Sequence, residues 1–517
     1  MSWWRDGVLY QIYPRSFADS NGDGIGDVRG IVDRLDHLEW LGIDGIWLNP
    51  TMPSPNEDWG YDVADYCAVH PDLGTLDDLD ALVAEAGRRG IRVLLDLVPN
   101  HTSDRHAWFQ DALSGRRRDF YVWADPGPGG GPPNNWLSNF GGPAWTLDDR
   151  SGQYYLHNFL PTQPDLNWWS EDVREAFDDV LRFWYERGIA GFRIDVCHAI
   201  VKDRELRDDP AATPDDHPKV RERGTRQVFS MNRPEVHEVL KRWRRVSEPD
   251  RILVGETYVL DVDQLIPYYG TGEDQLHLAF NFLFVHAALD ADALRPVVEA
   301  MEAKLPAGAW PVWTGSNHDA GRLASRWAGG SEARARVALL MLLGLRGTPF
   351  LYYGDEIALE DAVLDPAVAL DPVARRTGDP ERNRDRYRTP MQWSTEPGAG
   401  FSPDGARPWL PFGDLARNVA AQRGDPASTL HLVRDLIALR RERADLRDGD
   451  YETLPAPAGA WAWRRGERTR VALNLSDAPV RVELDGTVLI ATDRTRDGAE
   501  FDGTLAPWQG VVLDVGR

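Results

Sequence analysis

Short apolar runs alternate along most of this chain with longer segments whose apolar residues recur at helical spacing. Each apolar run predicts a strand: Val8–Phe17, Ile43–Pro50, Ile91–Pro99, Gly191–Val196, Ile252–Tyr258, Leu276–Phe282, Pro311–Ser316 and Gly347–Tyr353. The intervening segments predict amphipathic helices: Val28–Leu41, Thr75–Arg89, Glu171–Arg187, Pro234–Val246, Asp290–Lys304 and Glu332–Leu345. Eight strands with crossover helices predict an α/β fold, a (β/α)8 TIM barrel.

A doubly wound open sheet is the alternative architecture for the same alternation. That fold carries a glycine-rich phosphate turn after its first strand. No such turn follows Val8–Phe17. The barrel is therefore the prediction.

Two irregular regions interrupt the alternation, and a third region changes its period. The stretch between Thr102 and Trp169 is rich in Gly, Pro, Asn and aromatic residues and predicts a loop-rich insertion after the third strand. After the helical pattern Thr429–Ala444, short alternating runs predict an antiparallel β domain: Trp461–Arg464, Arg470–Leu475, Val480–Leu484, Val488–Ala491 and Gly510–Val515. The predicted domains are residues 1–101 (barrel, first part), 102–169 (insertion domain B), 170–445 (barrel, second part, with an irregular subdomain at about 358–428) and 446–517 (C-terminal β-sandwich domain).

The fourth predicted strand, Gly191–Val196, contains one arginine and one carboxylate among apolar residues. Side chains two apart on a strand share a face, so Arg193 and Asp195 are expected to pair. Such a pair favours an ionised, fixed carboxylate, as a nucleophile requires. A structural ion pair in a core strand explains the hexapeptide alone equally well.

Polar or charged residues also end other predicted strands, at the edge where a barrel of this type carries its site. The third strand ends in Asp96–His101, the fifth in Gly255–Tyr258 and the seventh in Ser316–Asp319. Carboxylates converging on a small pocket suit glycosidic bond cleavage, with one nucleophile and one proton donor. Glu256 has no arginine two residues away and is predicted to be the acid, whereas Asp195, held by Arg193, is predicted to be the nucleophile.

Together these stretches resemble the signature regions of the retaining α-glucosidases of glycoside hydrolase family 13, the α-amylase superfamily. Asp96–His101, Gly191–Asp195, Gly255-Glu256 and Asn317–Asp319 are similar to its four main regions, in the family's order. Gln163–Asn167 and Gly347–Glu356 resemble two more. The resemblance implies double displacement with retained α configuration: Asp195 is the nucleophile, Glu256 the acid/base and Asp319 the stabiliser of the transition state.

The same resemblance implies a sugar pocket. His101, Arg193 and His318 would contact the sugar, Tyr61 would stack on the non-reducing glucose and Asp62 would hold its far hydroxyls. The expected partner of Asp62 is Arg384, and Arg386 is the second choice for that role. An Asp–Arg pair behind the first sugar would close the pocket and make the enzyme exo-acting.

The loop from Asp19 to Asp27 places oxygen-bearing side chains at alternate positions with glycines between them. This pattern suits a hard cation, and the resemblance implies a structural calcium site in which Ile25 offers its carbonyl. The predicted ligands are Asp19, Asn21, Asp23, Ile25 and Asp27. The twelfth position is Gly30, where an EF-hand needs a glutamate, so no EF-hand is expected, and the alternative is a turn-rich loop without an ion. No organic cofactor is expected.

Composition limits partners and location. The formal net charge of −24 argues against nucleic acid and anionic membranes, which need a basic surface. The two cysteines offer no disulfide framework, no signal peptide pattern opens the chain and no apolar stretch is long enough to span a membrane. We expect a cytoplasmic protein, a monomer or small homo-oligomer, acting on a small oligosaccharide or glucoside.

Linkage preference is the least determined property. Val196 follows the predicted nucleophile, and in the family valine at this position tends to accompany α-1,6 cleavage. Against this, Gly255–Tyr258 lacks the Met-Pro pair common in oligo-1,6-glucosidases. The stretch Gly191–Asp209 also looks more like that of actinobacterial maltose-type enzymes. Short α-glucosides are expected, α-1,4 ahead of α-1,6, with transglucosylation to alcohols. The first alternative is an isomerase or transglucosylase such as a trehalose synthase or sucrose isomerase. The second, a non-catalytic transporter subunit, is disfavoured because the chain keeps all three carboxylates.

Overall fold

The computed structural model describes residues 2–247, 249–365, 367 and 369–516. Its strands are β1 (Leu9–Ile12), β2 (Gly45–Leu48), β3 (Arg92–Leu97), β4 (Trp123–Ala124), β5 (Trp145–Asp148), β6 (Gln153–Leu156), β7 (Gly191–Ile194), β8 (Ile252–Gly255), β9 (Leu278–Ala279), β10 (Val312–Thr314), β11 (Thr348–Tyr352), β12 (Tyr451–Leu454), β13 (Ala460–Arg465), β14 (Thr469–Asn474), β15 (Val480–Arg481), β16 (Thr487–Ala491), β17 (Thr504–Leu505) and β18 (Gly510–Asp514).

Its α-helices are α1 (Trp3–Asp6), α2 (Val28–Asp33), α3 (Leu35–Leu41), α4 (Leu76–Arg88), α5 (Ala107–Leu113), α6 (Glu171–Glu186), α7 (Pro218–Arg223), α8 (Val236–Ser247), α9 (Val262–Leu265), α10 (Phe282–His286), α11 (Ala291–Lys304), α12 (Leu323–Arg326), α13 (Glu332–Gly344), α14 (Pro372–Thr377), α15 (Val419–Arg423), α16 (Thr429–Glu442) and α17 (Ala444–Arg447). Among the described residues, no helix is long and apolar enough to cross a membrane.

Eight parallel strands form the central sheet, in the order β10-β11-β1-β2-β3-β7-β8-β9. All eight predicted runs contribute one strand each, and almost every strand residue is buried, as expected for a parallel sheet covered by helices. The TIM barrel predicted from the alternation is confirmed. Because the strands are parallel, the residues that follow β3, β7, β8 and β10 emerge at one end of the barrel.

The outer helices follow the predicted apolar stripes with one break. Helix α4 begins with a capping box in which Thr75 and Asp78 bond each other's backbone N–H groups. The predicted helix Val28–Leu41 is divided into α2 and α3 at Arg34, whose φ of −110° and ψ of 5° leave the helical region. The shared apolar period of the two segments hid this break.

The insertion after β3 is more regular than predicted. It contains α5 and a three-stranded antiparallel sheet in the order β4-β6-β5. Its own small core packs Trp136 and Trp145 against Leu156. The strands are two to four residues long, too short to register as alternation in a sequence this rich in glycine and proline.

The C-terminal region forms a five-stranded antiparallel sheet, β12-β13-β14-β18-β16, and a two-stranded pair, β15-β17. The antiparallel β character predicted for this region is confirmed, although β12 and β17 were not predicted. The sheet packs on α13, which is buried along most of its length. Trp463 of β13 donates from its indole N–H to the carbonyl of Gly344 at 3.2 Å.

Candidate active site

The side chains singled out from the strand ends meet at the carboxyl end of the barrel. Asp195 directly follows β7, Glu256 directly follows β8 and Asp319 lies five residues beyond β10. Asp195 and Glu256 share one arginine, and the charges of Glu256 and Asp319 both act on Asp195. The three predicted carboxylates therefore share one pocket.

Arg193, in β7, is the centre of this pocket. Its Nη1 donates to Asp96 Oδ1 at 2.8 Å and to Asp195 Oδ1 at 2.8 Å. Its Nη2 donates to Glu256 Oε2 at 2.6 Å, and the same oxygen accepts the backbone N–H of Val196 at 2.9 Å. Arg193 is only 2% exposed, so these are desolvated, charge-assisted contacts.

This geometry corrects one step of the sequence argument. Arg193 was expected to distinguish Asp195 from Glu256 by pairing with Asp195 alone. In the structure the guanidinium pairs with both carboxylates. Spacing along one strand could not reveal that β8 delivers Glu256 to the other side of the same side chain.

The pocket carboxylates differ in their electrostatic environments. Burial raises the pKa of Asp195 well above its usual range, and the ion pair with Arg193 opposes that shift without cancelling it. The direction is opposite to the one expected from the Arg193 pair alone, because strand spacing does not show how completely the carboxyl is buried. Burial also raises the pKa of Asp96 to about 7, again against the effect of Arg193. One guanidinium thus partly compensates the charge of several buried acids.

A relay of hydrogen bonds joins His318 to the arginine centre. Gln11 Nε2 lies 2.8 Å from His318 Nδ1, which makes Nδ1 an acceptor and leaves the proton on Nε2. His318 Nε2 contacts Asp319 Oδ2 at 2.9 Å and the Tyr61 hydroxyl at 2.6 Å, and Tyr61 in turn donates to Asp96 Oδ2 at 3.0 Å. Burial lowers the pKa of His318 to about 4, so the ring is neutral at neutral pH.

Asp319 is surrounded by cations yet accessible from the pocket. Its Oδ1 accepts from Arg384 Nη1 and Arg388 Nη2, both at 2.8 Å, and one-third of its side chain is exposed. Burial alone would raise the pKa of Asp319, but His318, Arg384 and Arg388 outweigh it and hold the pKa well below its usual range. Asp319 is therefore ionised, ready to accept hydrogen bonds.

The predicted Asp62–Arg384 pair is wrong, because Arg384 pairs with Asp58 instead. Arg384 Nη2 donates to Asp58 Oδ1 at 3.1 Å and to Asp371 Oδ1 at 2.7 Å. Asp62 is fully buried, and its carboxylate accepts from the Ser54 hydroxyl and from backbone N–H groups of its own loop. Both aspartates lie in one tight loop, so the sequence alone could not show which of them faces the pocket.

Tyr61 and His101 lie together on one wall of the pocket. Tyr61 stacks on the ring of His318, with 5.3 Å between centroids and planes 4° apart. Asn100 Nδ2 lies 3.0 Å from His101 Nδ1, which leaves Nε2 to donate to the Tyr61 carbonyl at 3.0 Å. Burial lowers the pKa of His101 to about 3. Protein groups thus fix both rings, and their contacts with a sugar remain predictions.

The insertion supplies pocket residues to which the sequence argument gave no role. Phe159 packs on the His101 ring at 5.1 Å and on Phe140 at 5.3 Å. Phe140 lies beneath the Arg384 guanidinium at 5.3 Å. Gln163 Nε2 donates to Asp58 Oδ2 at 3.2 Å. Gln163 was noted only within a family-like motif, and an aromatic in a loop-rich segment carries no positional signal.

A buried ion pair fixes the insertion to the barrel behind these residues. Lys202 Nζ lies 2.9 Å from Asp165 Oδ2 and donates to Asn100 Oδ1 at 2.5 Å. Asn100 follows β3, Asp165 belongs to the insertion and Lys202 follows β7. Because all three are buried, this contact holds the pocket wall against the strand ends.

The predicted calcium loop is hydrogen-bonded within itself. Asp19 accepts the backbone N–H groups of Gly22 at 2.7 Å and Gly24 at 2.9 Å, and Asp23 accepts that of Ile25 at 2.8 Å. Glycines 22 and 24 have φ values of 84° and 89°. Among the described residues, no group of three or more His, Cys, Asp or Glu side chains is arranged to hold a metal ion. The oxygen-bearing side chains at alternate positions suit a hard cation. In the structure, however, the three carboxylates of the loop are not arranged as a metal-binding group.

Fold and site together place the chain among the glycoside hydrolases. Their chemistry requires paired carboxylates on either side of a scissile bond and a pocket for the sugar ring. The barrel supplies both at its carboxyl end, where enzymes of this fold act.

Comparisons with known proteins agree and narrow the class. The model of the alpha-amylase catalytic domain matches residues 11–449. A probable alpha-glucosidase of Rhizobium meliloti (strain 1021) is 44% identical over 509 residues, covering 93% of this chain and 91% of that protein. The oligo-1,6-glucosidase of Heyndrickxia coagulans is 37% identical over 524 residues, covering 92% and 93%. The crystal structure of the alpha-glucosyl transfer enzyme XgtA superposes with a TM-score of 0.91 at 38% identity, covering 99% of this chain and all of that one. The chain belongs to the alpha-amylase family, glycoside hydrolase family 13, as its motifs indicated.

Proposed function

We propose that this enzyme is a retaining, exo-acting α-glucosidase that releases α-glucose from the non-reducing end of short α-glucosides. The observation that carries the proposal is the shared contact of Asp195 and Glu256 with Arg193, beside an ionised Asp319. The relatives named alpha-glucosidase and oligo-1,6-glucosidase support the substrate class.

In the proposed mechanism Asp195 attacks the anomeric carbon while Glu256 protonates the departing oxygen. A glucosyl ester of Asp195 forms, and Glu256 then takes a proton from the attacking water, so that α-glucose leaves with its configuration retained. Arg193 fixes both carboxylates relative to each other, and Asp319 accepts hydrogen bonds from hydroxyl groups of the sugar ring. Retention requires carboxyl groups about 5–5.5 Å apart, a separation that one intervening guanidinium is suited to maintain.

Exo action is supported by the closed end of the pocket. Asp58 and Arg384 pair there, backed by Asp371 and covered by Phe140. A polymer cannot pass through such a pair, so only a chain end reaches Asp195. Asp58 takes the role that the sequence argument gave to Asp62, because its carboxylate is the one held at this end.

The test is Asp195→Ala, assayed with an aryl α-glucoside. Loss of the nucleophile should lower kcat by at least about a thousandfold. The product anomer of the unmodified enzyme is read by NMR directly after mixing, and α-glucose is expected. Substantial residual turnover in the variant, or release of β-glucose by the unmodified enzyme, would contradict the proposal.

For linkage we propose α-1,4 ahead of α-1,6 cleavage, as expected from the stretch around the nucleophile. Val196 directly follows Asp195, and its backbone N–H bonds Glu256 Oε2. Initial rates on maltose, isomaltose, sucrose, trehalose and longer maltodextrins measure the preference. A kcat/KM for isomaltose above that for maltose would reverse the assignment.

A transglucosylase or isomerase is the second candidate, favoured by the similarity to the alpha-glucosyl transfer enzyme XgtA. Water and a sugar hydroxyl compete for the same glucosyl ester. An isomerase must hold the released sugar until it reattacks, so it would yield little free glucose from maltose or sucrose. Chromatography of early digests distinguishes the two candidates.

We also propose that the loop from Asp19 to Asp27 binds calcium as a structural ion. The support is its alternating oxygen side chains and the left-handed glycines that turn the chain between them. Chelation should lower the melting temperature, calcium should restore it and magnesium should restore it less. A protein purified without bound metal whose melting temperature ignores the chelator would exclude the ion.

Location and assembly complete the proposal. We infer a cytoplasmic enzyme, because its cysteines, Cys67 and Cys197, are both free thiols. Immunoblotting of cell fractions tests the location. We infer a monomer or small homo-oligomer, which light scattering during gel filtration measures.

A further inference from the structure

Three polar side chains meet next to Glu256 at a point that the proposed chemistry does not use. Tyr258 follows Glu256 by two residues, and its hydroxyl lies 3.0 Å from Lys219 Nζ and 2.8 Å from His286 Nε2. Burial raises the pKa of Tyr258, and the negative charges of Glu256 and Asp319 add to the shift. The hydroxyl is therefore within electrostatic range of the reacting groups.

Lys219, the cation at this point, forms no ion pair with any residue that the structure describes. It is exposed, and among the described residues its side chain bonds only Tyr258 and His286. Burial lowers the pKa of His286 to about 3, so that ring is neutral and accepts hydrogen bonds. Glu222, the acid that acts on Lys219, is paired with Arg382 at 3.2 Å.

Arg223, one turn further along α7, is a second cation without an ion pair in the described part of the chain. Its Nη2 donates to Asn139 of the insertion, and its buried Nη1 has no hydrogen-bond partner among the described residues. The nearby acid Asp209 is occupied by the N–H groups of residues 228 to 230 and by the Ser230 hydroxyl. A buried guanidinium N–H without a protein acceptor can donate to a group that enters the pocket.

A surface lysine normally extends into water and neutralises a nearby acid. Lys219 instead lies against a phenol and a neutral imidazole, and Arg326 and Arg382 add positive charge around it. Such a cationic patch is unusual in a chain with a net charge of −24. A neutral sugar would not require it, whereas a carboxylate or phosphate would be attracted to it.

The patch is connected through Tyr258 to Glu256, the proposed proton donor. The donor glucose is expected between Asp195 and the closed end formed by Asp58 and Arg384. Glu256 protonates the oxygen that links this glucose to the rest of the substrate. Because Tyr258 follows Glu256 by two residues and contacts Lys219, Lys219 and Arg223 are expected near the group that departs.

We propose that Lys219 and Arg223 form a subsite for an anionic group, a carboxylate or a phosphate, on the leaving group or on the acceptor that replaces it. This inference rests on the α-glucosidase function proposed above and adds a substrate class to it. With an anionic acceptor, the acceptor oxygen bonds to the anomeric carbon, its proton passes to Glu256 and the ester bond to Asp195 breaks.

The test compares aryl α-glucosides that carry an anionic or a neutral group at the same ring position, and variants are compared by the change in the anionic-to-neutral ratio, which cancels the difference in leaving-group acidity. Hydrolysis of 4-carboxyphenyl α-glucoside is measured against its neutral 4-carboxamidophenyl analogue, and a phosphorylated 4-hydroxyphenyl α-glucoside serves as the phosphate arm. The unmodified enzyme should favour one anionic substrate in kcat/KM. Lys219→Met and Arg223→Met should each lower the ratio of anionic to neutral kcat/KM about tenfold, the loss expected for one charge-assisted contact.

Lys241 provides the matched control, because it is a lysine on the outer helix α8 that pairs with Glu238 at 3.5 Å. Lys241→Met should leave the ratio unchanged, and added salt should lower it for the unmodified enzyme. A ratio at or below one for both anions, or equal ratios in all variants, would overturn the subsite while leaving the glucosidase intact. An enzyme that cleaves neither the charged nor the neutral glucoside would overturn the proposed function itself.

Discussion

At the scale of single residues, a few arginines in the pocket pair with a larger number of carboxylates. Arg193 bonds Asp96, Asp195 and Glu256, while Arg384 bonds three other aspartates. The result is a graded set of acids: Asp319 is held ionised, whereas burial raises the pKa of Asp195 and Asp96.

Glu256→Gln tests the assignment of the acid. The amide cannot protonate a departing oxygen, so maltose hydrolysis should fall about 10²–10⁴-fold, as general acid catalysis usually contributes. An aryl α-glucoside with an acidic phenol as leaving group needs less protonation and should lose much less in its glucosylation step. Pre-steady-state release of the phenol measures that step. Equal losses for both substrates would show that Glu256 is not the acid.

Asp58→Asn tests the electrostatic cost of the closed pocket end. Burial raises the pKa of Asp58 to about 6, against Arg384 and Arg388. The unfolded chain ionises near pH 4, so raising the pH from 4 to 6 charges the unfolded state first and lowers the free energy of unfolding by up to about 3 kcal/mol. Below pH 4 the carboxyl is protonated in both states and the effect vanishes.

The variant should therefore gain stability relative to the unmodified enzyme as the pH rises from 4 to 7, while its kcat/KM falls. Denaturant unfolding at several pH values measures the difference. Asp404→Asn, at an exposed site, is the control and should show no such trend. A stability difference that stays constant across this range would show that the shift at Asp58 is absent.

The residue identities of the site were largely predictable, and their pairings were not. Asp195, Glu256 and Asp319 follow apolar runs, so their convergence could be expected from strand alternation alone. The choice between Asp58 and Asp62 depends on the path of one loop. Likewise, the sharing of Arg193 depends on the register between β7 and β8, where Ile194 lies opposite Gly255.

At the scale of elements, the turn after β7 joins the nucleophile to the acid. Val196 has φ 32° and ψ 46°, a left-handed conformation that a β-branched residue rarely adopts. In this conformation its N–H reaches Glu256 Oε2 at 2.9 Å, and the next N–H, of Cys197, reaches the Glu256 carbonyl at 3.0 Å. Backbone strain of this kind concentrates at functional sites.

Val196→Gly should release this strain. We expect the free energy of unfolding to rise by about 1 kcal/mol, because left-handed backbone costs a non-glycine residue about 1–2 kcal/mol and glycine returns part of that as chain entropy. Activity should fall, and the upper limb of the pH–rate profile should move, since the N–H that holds Glu256 becomes less fixed.

The matched control is Ala399→Gly, at a buried residue with φ 53° in the irregular region. It should gain stability without a change in the pH profile. A lower free energy of unfolding in Val196→Gly would show that the left-handed backbone at this turn is not strained. If its pH profile matches that of the unmodified enzyme, the turn does not position Glu256.

Elements were predictable where the apolar run or stripe in the sequence was long. All eight barrel strands and the helix α16 appear in the apolar pattern. The two-residue strands β4 and β17 do not, because a pattern with a period of two needs several residues to become visible. The break at Arg34 was invisible for the opposite reason: α2 and α3 continue one apolar stripe through it.

At the scale of the whole molecule, the barrel and the C-terminal domain share a core. Trp461, Trp463, Val471 and Leu473 of the C-terminal sheet belong to the same hydrophobic cluster as the barrel helices. Helix α13 lies between the two parts and is buried along most of its length. We therefore expect the two parts to unfold together.

Trp463→Ala should lower the stability of the entire enzyme. Removing a fully buried tryptophan from this interface should cost about 3–5 kcal/mol. The midpoints of heat inactivation and of unfolding followed by circular dichroism should fall by the same amount. Glu483→Gln, at an exposed position of the same domain, is the control. An active barrel that persists after the C-terminal sheet has melted would refute the shared core.

The sharing of Arg193 also constrains how this enzyme can change over evolutionary time. If one of its three acidic partners is replaced, the guanidinium redistributes its hydrogen bonds between the remaining two. The effect of each replacement on activity therefore depends on which replacements came before it. A lineage acquiring new chemistry in this pocket must therefore move through correlated steps. Changes that diversify specificity accumulate more freely on α7 and the insertion, because no described residue of either forms a hydrogen bond or ion pair with Arg193.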